Sequence, residues 1–242
     1  MQAWFENLKA DFILNFVQAN RWKYLWDGLG RTLLITLLAG IMGTFIGIII
    51  AMVRSTYDKT REGAHKTIGR RIFSVVDGIC RVYLTVIRGT PVMVQIMIMF
   101  FVIFSNARDG VPVAMLTFGI NSGAYVAEII RGGIMSVDAG QTEAGRSLGF
   151  GYVATMFYIV VPQALKSVLP ALANEFIVLL KETSVACYVA VNDLTKGGEI
   201  IRSQTYAQAM PLLIVAAIYL MLVMFFSWLV GKLERRLRSS DH

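Results

Sequence analysis

The sequence is poor in the residues that most enzymes use for metal binding and covalent catalysis. Its 242 residues include only two cysteines and two histidines. Cys80 and Cys187 lie in or beside apolar segments, and His65 and His242 lie in polar ones, without the spacing of a metal site. We therefore predict no disulfide, no metal site and no histidine-based catalysis.

The sequence also lacks the G-x-x-x-x-G-K-[ST] motif with which many proteins bind the phosphates of ATP. We therefore expect that this chain does not hydrolyse ATP and is not an enzyme. If ATP drives its activity, a separate subunit must bind the nucleotide.

Charged residues are scarce and apolar residues are abundant. Charged side chains make up 16% of the chain and hydrophobic ones 56%, and the mean hydropathy is +0.60. This composition is typical of an all-α protein that crosses a membrane several times. The length allows about five spans of roughly 20 residues and no separate soluble domain of ordinary size. The apolar segments cover approximately residues 32–53, 82–105, 113–135, 154–180 and 211–230.

The basic residues indicate how these spans are oriented. Residues 54–71 and the tail after Gly231 are rich in lysine and arginine, whereas residues 106–110 and 192–210 carry fewer, balanced charges. Under the positive-inside rule the basic segments are cytoplasmic, with the N-terminus outside and the C-terminus inside. The net charge of +7 follows from this asymmetry and from contact with anionic lipid. It requires no nucleic-acid partner.

The chain divides into three regions. Residues 1–30 are dense in aromatic side chains and are predicted to form an interfacial segment on the outer side. A docking surface for an external partner is the alternative for this segment. Residues 31–231 are predicted to form the transmembrane domain, and residues 232–242 a basic cytoplasmic tail.

A polar stretch between the third and fourth apolar segments carries the most informative pattern. It comprises Glu143, Ala144, Gly145, Gly149, Ile159 and Pro162. This spacing resembles the EAA signature of the permease subunits of bacterial ATP-binding-cassette (ABC) importers, with Gly145 in place of the third alanine. The resemblance implies that approximately residues 138–150 form a cytoplasmic loop. Its short helix, which Gly149 is expected to end, would dock on a partner ATPase. Capping of the following helix is the alternative that the local sequence leaves open.

Further motifs narrow this resemblance to permeases for polar amino acids such as histidine, glutamine, arginine or cystine. They are Arg88-Gly89-Thr90-Pro91 with Val94-Gln95, Ser122 to Tyr125 with Glu128 and Arg131-Gly132, Pro162 to Leu165 with Pro170, Asn174-Glu175, and Lys181 to Ser184. Together they cover about residues 24–230. The basic stretch 57–70 is longer than in the family pattern, which leaves its contacts open. The resemblance implies a type I ABC importer permease fold with five transmembrane helices.

Charged side chains within apolar spans each cost about 2.5 to 3.5 kcal/mol to insert, so each needs a partner or a polar lining. We assign one set to a gate or to structural ion pairs: Arg88, Glu128, Arg131, Lys181 and Glu182. Glu128 and Arg131 lie three residues apart on one helical face and can neutralise each other.

We assign a second set to the substrate path: Thr90, Gln95, Asn174 and Glu175. Glu175 either receives a substrate ammonium or guanidinium group or forms an intramolecular ion pair. Pro162 and Pro170 are predicted to kink or break the fourth span, which places a candidate pathway along it.

The resemblance implies a permease subunit of the bacterial inner membrane that imports a polar amino acid. The implied partners are a dimer of ATPase subunits, which bind ATP and magnesium, a second permease subunit, an extracytoplasmic amino-acid-binding protein, and membrane lipid. An ion-gradient-driven secondary transporter is the alternative, although such a transporter would normally carry an internal repeat. An intramembrane enzyme would need a nucleophile or a metal cluster within the spans. The motifs leave open which amino acid is carried.

Overall fold

The structure, a computed structural model, describes residues 2–60, 68–189 and 191–238. Throughout these ranges the regular structure is helical, and none of them contains a strand. Residues 61–67, which belong to the predicted basic loop and include His65, lie outside the described residues, as does His242.

The described part of the N-terminal half contains five α-helices. They are α1 (Gln2–Phe12), α2 (Trp22–Thr60), α3 (Ile68–Gly89), α4 (Val92–Ile98) and α5 (Gly110–Met135). Between α1 and α2 lie a π-helical turn, Ile13–Val17, and a 3-10 turn, Gln18–Asn20, and a second π-helical segment, Met99–Ile103, extends α4.

The C-terminal half contains five further α-helices. They are α6 (Ala139–Ser147), α7 (Tyr152–Thr155), α8 (Val161–Glu182), α9 (Leu194–Thr205) and α10 (Met210–Arg238). A third π-helical segment, Met156–Val160, joins α7 to α8, and a 3-10 helix, Thr183–Tyr188, follows α8.

Within the described residues, four helical segments are long and apolar enough to cross a membrane: Trp22–Tyr57, Gly110–Met135, Tyr152–Tyr188 and Met210–Leu237. A fifth span forms if Arg71–Gly89 and Val92–Ile103, which meet at 107°, are counted as one broken span. The predicted second span, residues 82–105, contains this break. Its cause is Pro91, which has no N–H group and disfavours helical backbone at the preceding residue.

The fourth span contains the two prolines, Pro162 and Pro170, that were predicted to kink or break it. Helix α8 runs through Pro170 from Val161 to Glu182, so that proline does not break it. Pro162 lies in the first turn of α8, directly after the π-helical segment Met156–Val160. The irregular part of this span is therefore the π-helical segment. Such segments occur mostly as single turns within α-helices, and helices commonly bend at them and at prolines.

The described chain divides into two compact units. The first unit comprises the residues up to Ala39, Val92–Phe118 and Ile177–Trp228, and the second comprises Gly40–Pro91, Gly119–Phe176 and the residues from Leu229 onward. The core of the first unit includes the fully buried side chains of Ile35, Phe118 and Leu179.

The N-terminal segment contributes to the core of the first unit. Phe16 packs in a cluster with Leu25, Leu194 and Ile201. Asn15 is fully buried, and its side-chain oxygen accepts a hydrogen bond of 2.7 Å from the Thr205 hydroxyl. The segment predicted to lie at the membrane interface is therefore also tied to α9 by packing and by a buried polar contact.

In the second unit, glycines let α2 approach α5 closely. A Cβ atom at Gly43 would lie 2.9 Å from the Cβ of Ser122, and one at Gly47 would clash with the side chain of Val126. Helix pairs in membranes commonly pack through small residues spaced in this way. The contact holds the polar residues farther along α2 beside the C-terminal half of α5.

Candidate functional site

Helix α6 contains the EAA signature and ends at a defined C-terminal motif. Gly149 has φ of +85°, in the left-handed region that glycine adopts without strain. Its N–H donates to the Arg146 carbonyl at 3.0 Å, and the N–H of Phe150 donates to the Gly145 carbonyl at 3.1 Å. This pair of bonds is the Schellman pattern. The predicted short helix is present, and Gly149 ends it as expected.

Gly145 explains how the signature is held together in space. A Cβ atom at Gly145 would lie 2.8 Å from Cδ1 of Ile159 and 2.8 Å from Cγ2 of Thr155. The glycine therefore permits α6 to pack directly against the π-helical segment Met156–Val160. The side chain of Gln163 reinforces this contact, because its amide donates to the side-chain oxygen of Gln141 at 3.1 Å. The spacing from Glu143 to Pro162 thus corresponds to one folded element.

The opposite face of α6 is open. Glu143 and Ala144 are exposed, and Leu148 and Val153, on either side of the closing turn, are each 76% exposed. Exposed apolar side chains beside a short polar helix are typical of an interaction surface.

The N-terminus of α6 is capped by a residue that the motif does not contain. The side chain of Asp138 accepts a hydrogen bond of 2.6 Å from the N–H of Gly140. A carboxylate at this position stabilises the first turn of a helix. Capping within α6 therefore belongs to Asp138, and the exposed Glu143 is left for other contacts.

The gate or structural set is centred on Glu128 in the second unit. Its carboxylate lies 3.1 Å from Arg131, 3.7 Å from Arg88 and 3.8 Å from Arg54. The contact with Arg131 is a two-pronged hydrogen bond, as the spacing on one helical face predicts. The guanidinium of Arg88 also lies over the ring of Tyr125 at 5.6 Å.

Asp77 and Arg81 extend this cluster, and the sequence analysis missed both. The side chain of Asp77 is only 3% exposed, and its carboxylate lies 2.7 Å from Arg81 and 3.6 Å from Arg54. The available signal was the helical spacing of Asp77 and Arg81, opposite an apolar stripe that includes Val75 and Ile79. A buried acidic side chain within a membrane span needs such partners.

A cavity of about 450 Å³ opens beside this cluster. Its wall is formed by the side chains of Arg54, Arg81, Leu84, Thr85, Arg88 and Glu128, together with Gly89. The wall therefore carries three guanidinium groups and one carboxylate, an arrangement that favours an anionic ligand.

The predicted substrate-path residues are divided between the two units. In the second unit, Glu175 accepts a hydrogen bond of 3.1 Å from the hydroxyl of Ser122, and Asn174 is exposed. Thr90, also in that unit, donates back to the Val86 carbonyl at 2.8 Å. Gln95 belongs to the first unit.

The remaining members of the gate or structural set lie at the end of α8. Lys181 and Glu182 occupy its last turn and belong to the first unit. Lys181 is exposed and Glu182 is half-buried. Among the described residues, no group of three or more histidine, cysteine, aspartate or glutamate side chains could hold a metal ion.

A helical chain with up to five membrane spans and an exposed short helix between two of them is the architecture of an ABC importer permease. The fold matches the crystal structure of an amino acid ABC transporter with histidines, with a TM-score of 0.79 at 37% identity, over 91% of this chain and 97% of that chain. The MetNI methionine ABC transporter in an inward-facing conformation has the same fold, with a TM-score of 0.73 at 19% identity over 91% and 98% of the two chains. The predicted type I importer permease fold is confirmed.

Residues 67–239 match the family model for the binding-protein-dependent transport system inner membrane component, and the chain belongs to this family. It is 35% identical to the L-cystine transport system permease protein TcyB of Bacillus subtilis, over 92% of this chain and 90% of that protein. It is 33% identical to the glutamine transport system permease protein GlnP of Escherichia coli K12, over 90% and 97%. These findings confirm the family recognised from the motifs. The chain is thus a membrane-spanning permease component and not the ATPase of its system.

Proposed function

We propose that this chain moves a polar amino acid across the bacterial cytoplasmic membrane, as the permease subunit of an ABC importer. The motifs support this substrate class, and so do the relatives, which carry names of L-cystine and glutamine transport systems. The permease works with a second permease subunit, a pair of ATPases that bind ATP and magnesium, and an extracytoplasmic binding protein. Its N-terminus lies outside and its C-terminus in the cytoplasm.

The observation that carries the coupling mechanism is the geometry of α6. One face of the helix is fixed to the π-helical segment Met156–Val160 through Gly145, and the other face exposes Glu143, Ala144 and Leu148. A helix attached in this way transmits a push from a docked ATPase to the span that contains α8. Closure of the two ATPases then alternates the permease pair between inward-open and outward-open states.

The proposed substrate path uses Glu175, Asn174, Thr90 and Gln95. Glu175, held by the Ser122 hydroxyl, offers a carboxylate to the ammonium or guanidinium group of the amino acid, with Asn174 beside it. Thr90 and Gln95 flank the break at Pro91, and Arg88, Glu128, Arg131, Lys181 and Glu182 supply gate or structural contacts. The exposed docking helix favours an ATPase-driven importer over a secondary transporter.

The test is co-purification of the permease with its ATPase. Leu148→Asp places a charge on the exposed apolar face of α6, and we expect it to release most of the ATPase while the permease still inserts. Tyr206→Asp is the matched control, because Tyr206 is even more exposed, at 86%, and lies between α9 and α10 on the predicted outer side. Equal ATPase recovery from the two variants would remove α6 from the interface.

A further inference from the structure

Four arginines and two carboxylates of the described residues meet beside this cavity. Glu128 lies within 4 Å of Arg54, Arg88 and Arg131, and its distances to Arg54 and Arg88 exceed hydrogen-bonding range. Asp77 pairs with Arg81 at 2.7 Å and lies 3.6 Å from Arg54, so the arginines outnumber the carboxylates. Arg88 remains 43% exposed and faces the cavity. The wall thus offers guanidinium groups to an anion that enters from outside the helix packing.

An apolar groove runs along α3, the helix that carries Arg81 and Arg88. It has a volume of about 620 Å³ and is lined by Val75, Gly78, Ile79, Val82, Tyr83, Val86 and Ile87 of α3. The helix therefore presents guanidinium groups on one side and an exposed aliphatic stripe on another.

The boundary between the cavity and the groove carries small side chains. On the helical wheel of α3, Gly78, Thr85 and Gly89 lie between the arginine side and the aliphatic stripe. A Cβ atom at Gly78 or Gly89 would meet no atom within 4 Å. A single ligand with a charged head and an apolar chain can therefore occupy both spaces.

The cavity lies toward the ends of α2 and α5 that are predicted to be cytoplasmic. Arg54 directly follows the apolar run of α2, and Glu128 and Arg131 lie near the C-terminal end of α5. Both ends belong to the predicted cytoplasmic side. Basic pockets between transmembrane helices on that side bind phosphate headgroups of anionic lipids.

We propose that this site binds an anionic phospholipid of the cytoplasmic leaflet. The lipid phosphate lies in the cavity against Arg54, Arg81 and Arg88, and one acyl chain follows the groove past Gly78 and Val82. The inference does not depend on which solute the permease carries. A bound lipid would explain why α3 carries arginines on one side and an exposed aliphatic stripe on another.

The test uses the full-length permease, purified with its ATPase in detergent and mixed with equal amounts of dioleoyl phosphatidylglycerol and dioleoyl phosphatidylcholine. Native mass spectrometry counts the retained molecules of each lipid. The wild-type complex should retain phosphatidylglycerol preferentially, and Arg88→Gln should lower that retention about fivefold, the contribution expected of one arginine near a membrane surface. Arg202→Gln is the matched control, since Arg202 also pairs with a glutamate, at 3.0 Å, and its side chain is 37% exposed. It should retain the wild-type amount.

A second variant keeps the test independent of the ion pairs. Gly78→Phe places a ring in the groove and leaves every arginine in the sequence, and it should also reduce phosphatidylglycerol retention. Equal retention of both lipids by the wild type, or wild-type retention by both Arg88→Gln and Gly78→Phe, would overturn the proposal. So would displacement of phosphatidylglycerol by an equal concentration of glycerol 3-phosphate, which would make the cavity a free phosphate site. Displacement by a mixture of amino acids would instead assign the cavity to the transported solute and would equally refute lipid binding.

Discussion

The closing turn of α6 allows the coupling hypothesis to be tested with a closely matched pair of glycines. Gly149 and Gly151 are two residues apart, and a Cβ atom at either position would meet nothing within 4 Å. They differ in backbone conformation, because φ is +85° at Gly149 and −67° at Gly151. Comparing the same substitution made separately at each site therefore distinguishes the effect of backbone conformation from any steric effect.

The cost of Gly149→Val follows from this difference. A side chain in the left-handed region costs about 1 to 2 kcal/mol, with a β-branched residue at the upper end. Both substitutions gain a similar amount from a more restricted unfolded chain, about 0.4 to 1 kcal/mol, so this gain cancels in the comparison. If the turn rearranges instead, it loses the bonds to the Arg146 and Gly145 carbonyls, at about 1 kcal/mol each. We expect Gly149→Val to be destabilised by roughly 1 to 3 kcal/mol relative to Gly151→Val.

The assay is the number of ATP molecules hydrolysed per amino acid imported, measured in proteoliposomes with the ATPase and the binding protein. Gly149→Val should raise this ratio severalfold while the subunit still inserts, and Gly151→Val should keep the wild-type ratio. Gly149→Asn should be intermediate, because asparagine tolerates the left-handed region better than valine. Equal coupling in the two valine variants would show that the end of α6 plays no part in transmission.

Three further predictions concern topology, substrate binding and pH. Reporters inserted into the full-length chain after Arg71 and after Arg238 should read cytoplasmic, and one after Asn106 should read external. An inverted signal at any of these sites would contradict the assigned orientation. Glu175→Gln should weaken amino acid uptake and leave thermal stability and basal ATPase activity largely intact if Glu175 lines the path; lost stability or unchanged uptake would exclude that role. Burial raises the pKa of the Asp193 carboxyl from 3.8 to about 6. The protonated carboxyl therefore contributes fully to the free energy of unfolding below pH 3.8, and this contribution is lost as the pH rises through 6. Asp193→Asn, which keeps an acceptor for the N-terminus of α9, should therefore gain stability over the wild type with rising pH, by on the order of 3 kcal/mol between pH 4 and 8; a difference that stays constant with pH would contradict the assignment.

Local signals were sufficient to predict helix α6 and its end. Gly149 follows the last helical residues of α6, where a glycine commonly ends a helix, and the structure places it there with positive φ. The contact of Gly145 with Ile159 could not be predicted in the same way, because it depends on the π-helical segment that turns Ile159 toward α6. The spacing of a motif indicates which residues belong together, but it does not predict the backbone conformation that brings them into contact.

The second span was only partly predictable, because a hydropathy average ignores backbone breaks. Residues 82–105 are apolar on both sides of Pro91, so the average does not register the 107° bend. The same method placed the start of the span at Val82 and left residues 72–81 unassigned. The apolar residues Ile72, Val75 and Ile79 follow a helical period, and that signal would have extended α3 to include Asp77.

Pro170 lies inside α8 and does not end it. A proline inside a helix removes one backbone hydrogen bond and disfavours the preceding turn, which led to the expectation of a kink or break. Helix α8 nevertheless continues from Val161 to Glu182. Tertiary packing of Val168 and Ile177, which are both buried, holds the helix on either side of the proline.

The charges of α3 have a consequence for how the chain enters the membrane during synthesis. Asp77, Arg81 and Arg88 would each add about 2.5 to 3.5 kcal/mol to the insertion of α3 as an isolated helix, and the break at Pro91 leaves no straight apolar span to offset that cost. Arg81 pairs with Asp77 within α3, but the other partners come from α2, made earlier, and from α5, made later: Arg54 contacts Asp77, and Glu128 contacts Arg88. We therefore expect α3 to stay at the membrane surface until α5 has left the ribosome. A nascent chain arrested before Glu128 should leave its second span accessible to water, whereas a chain arrested after Met135 should have it inserted.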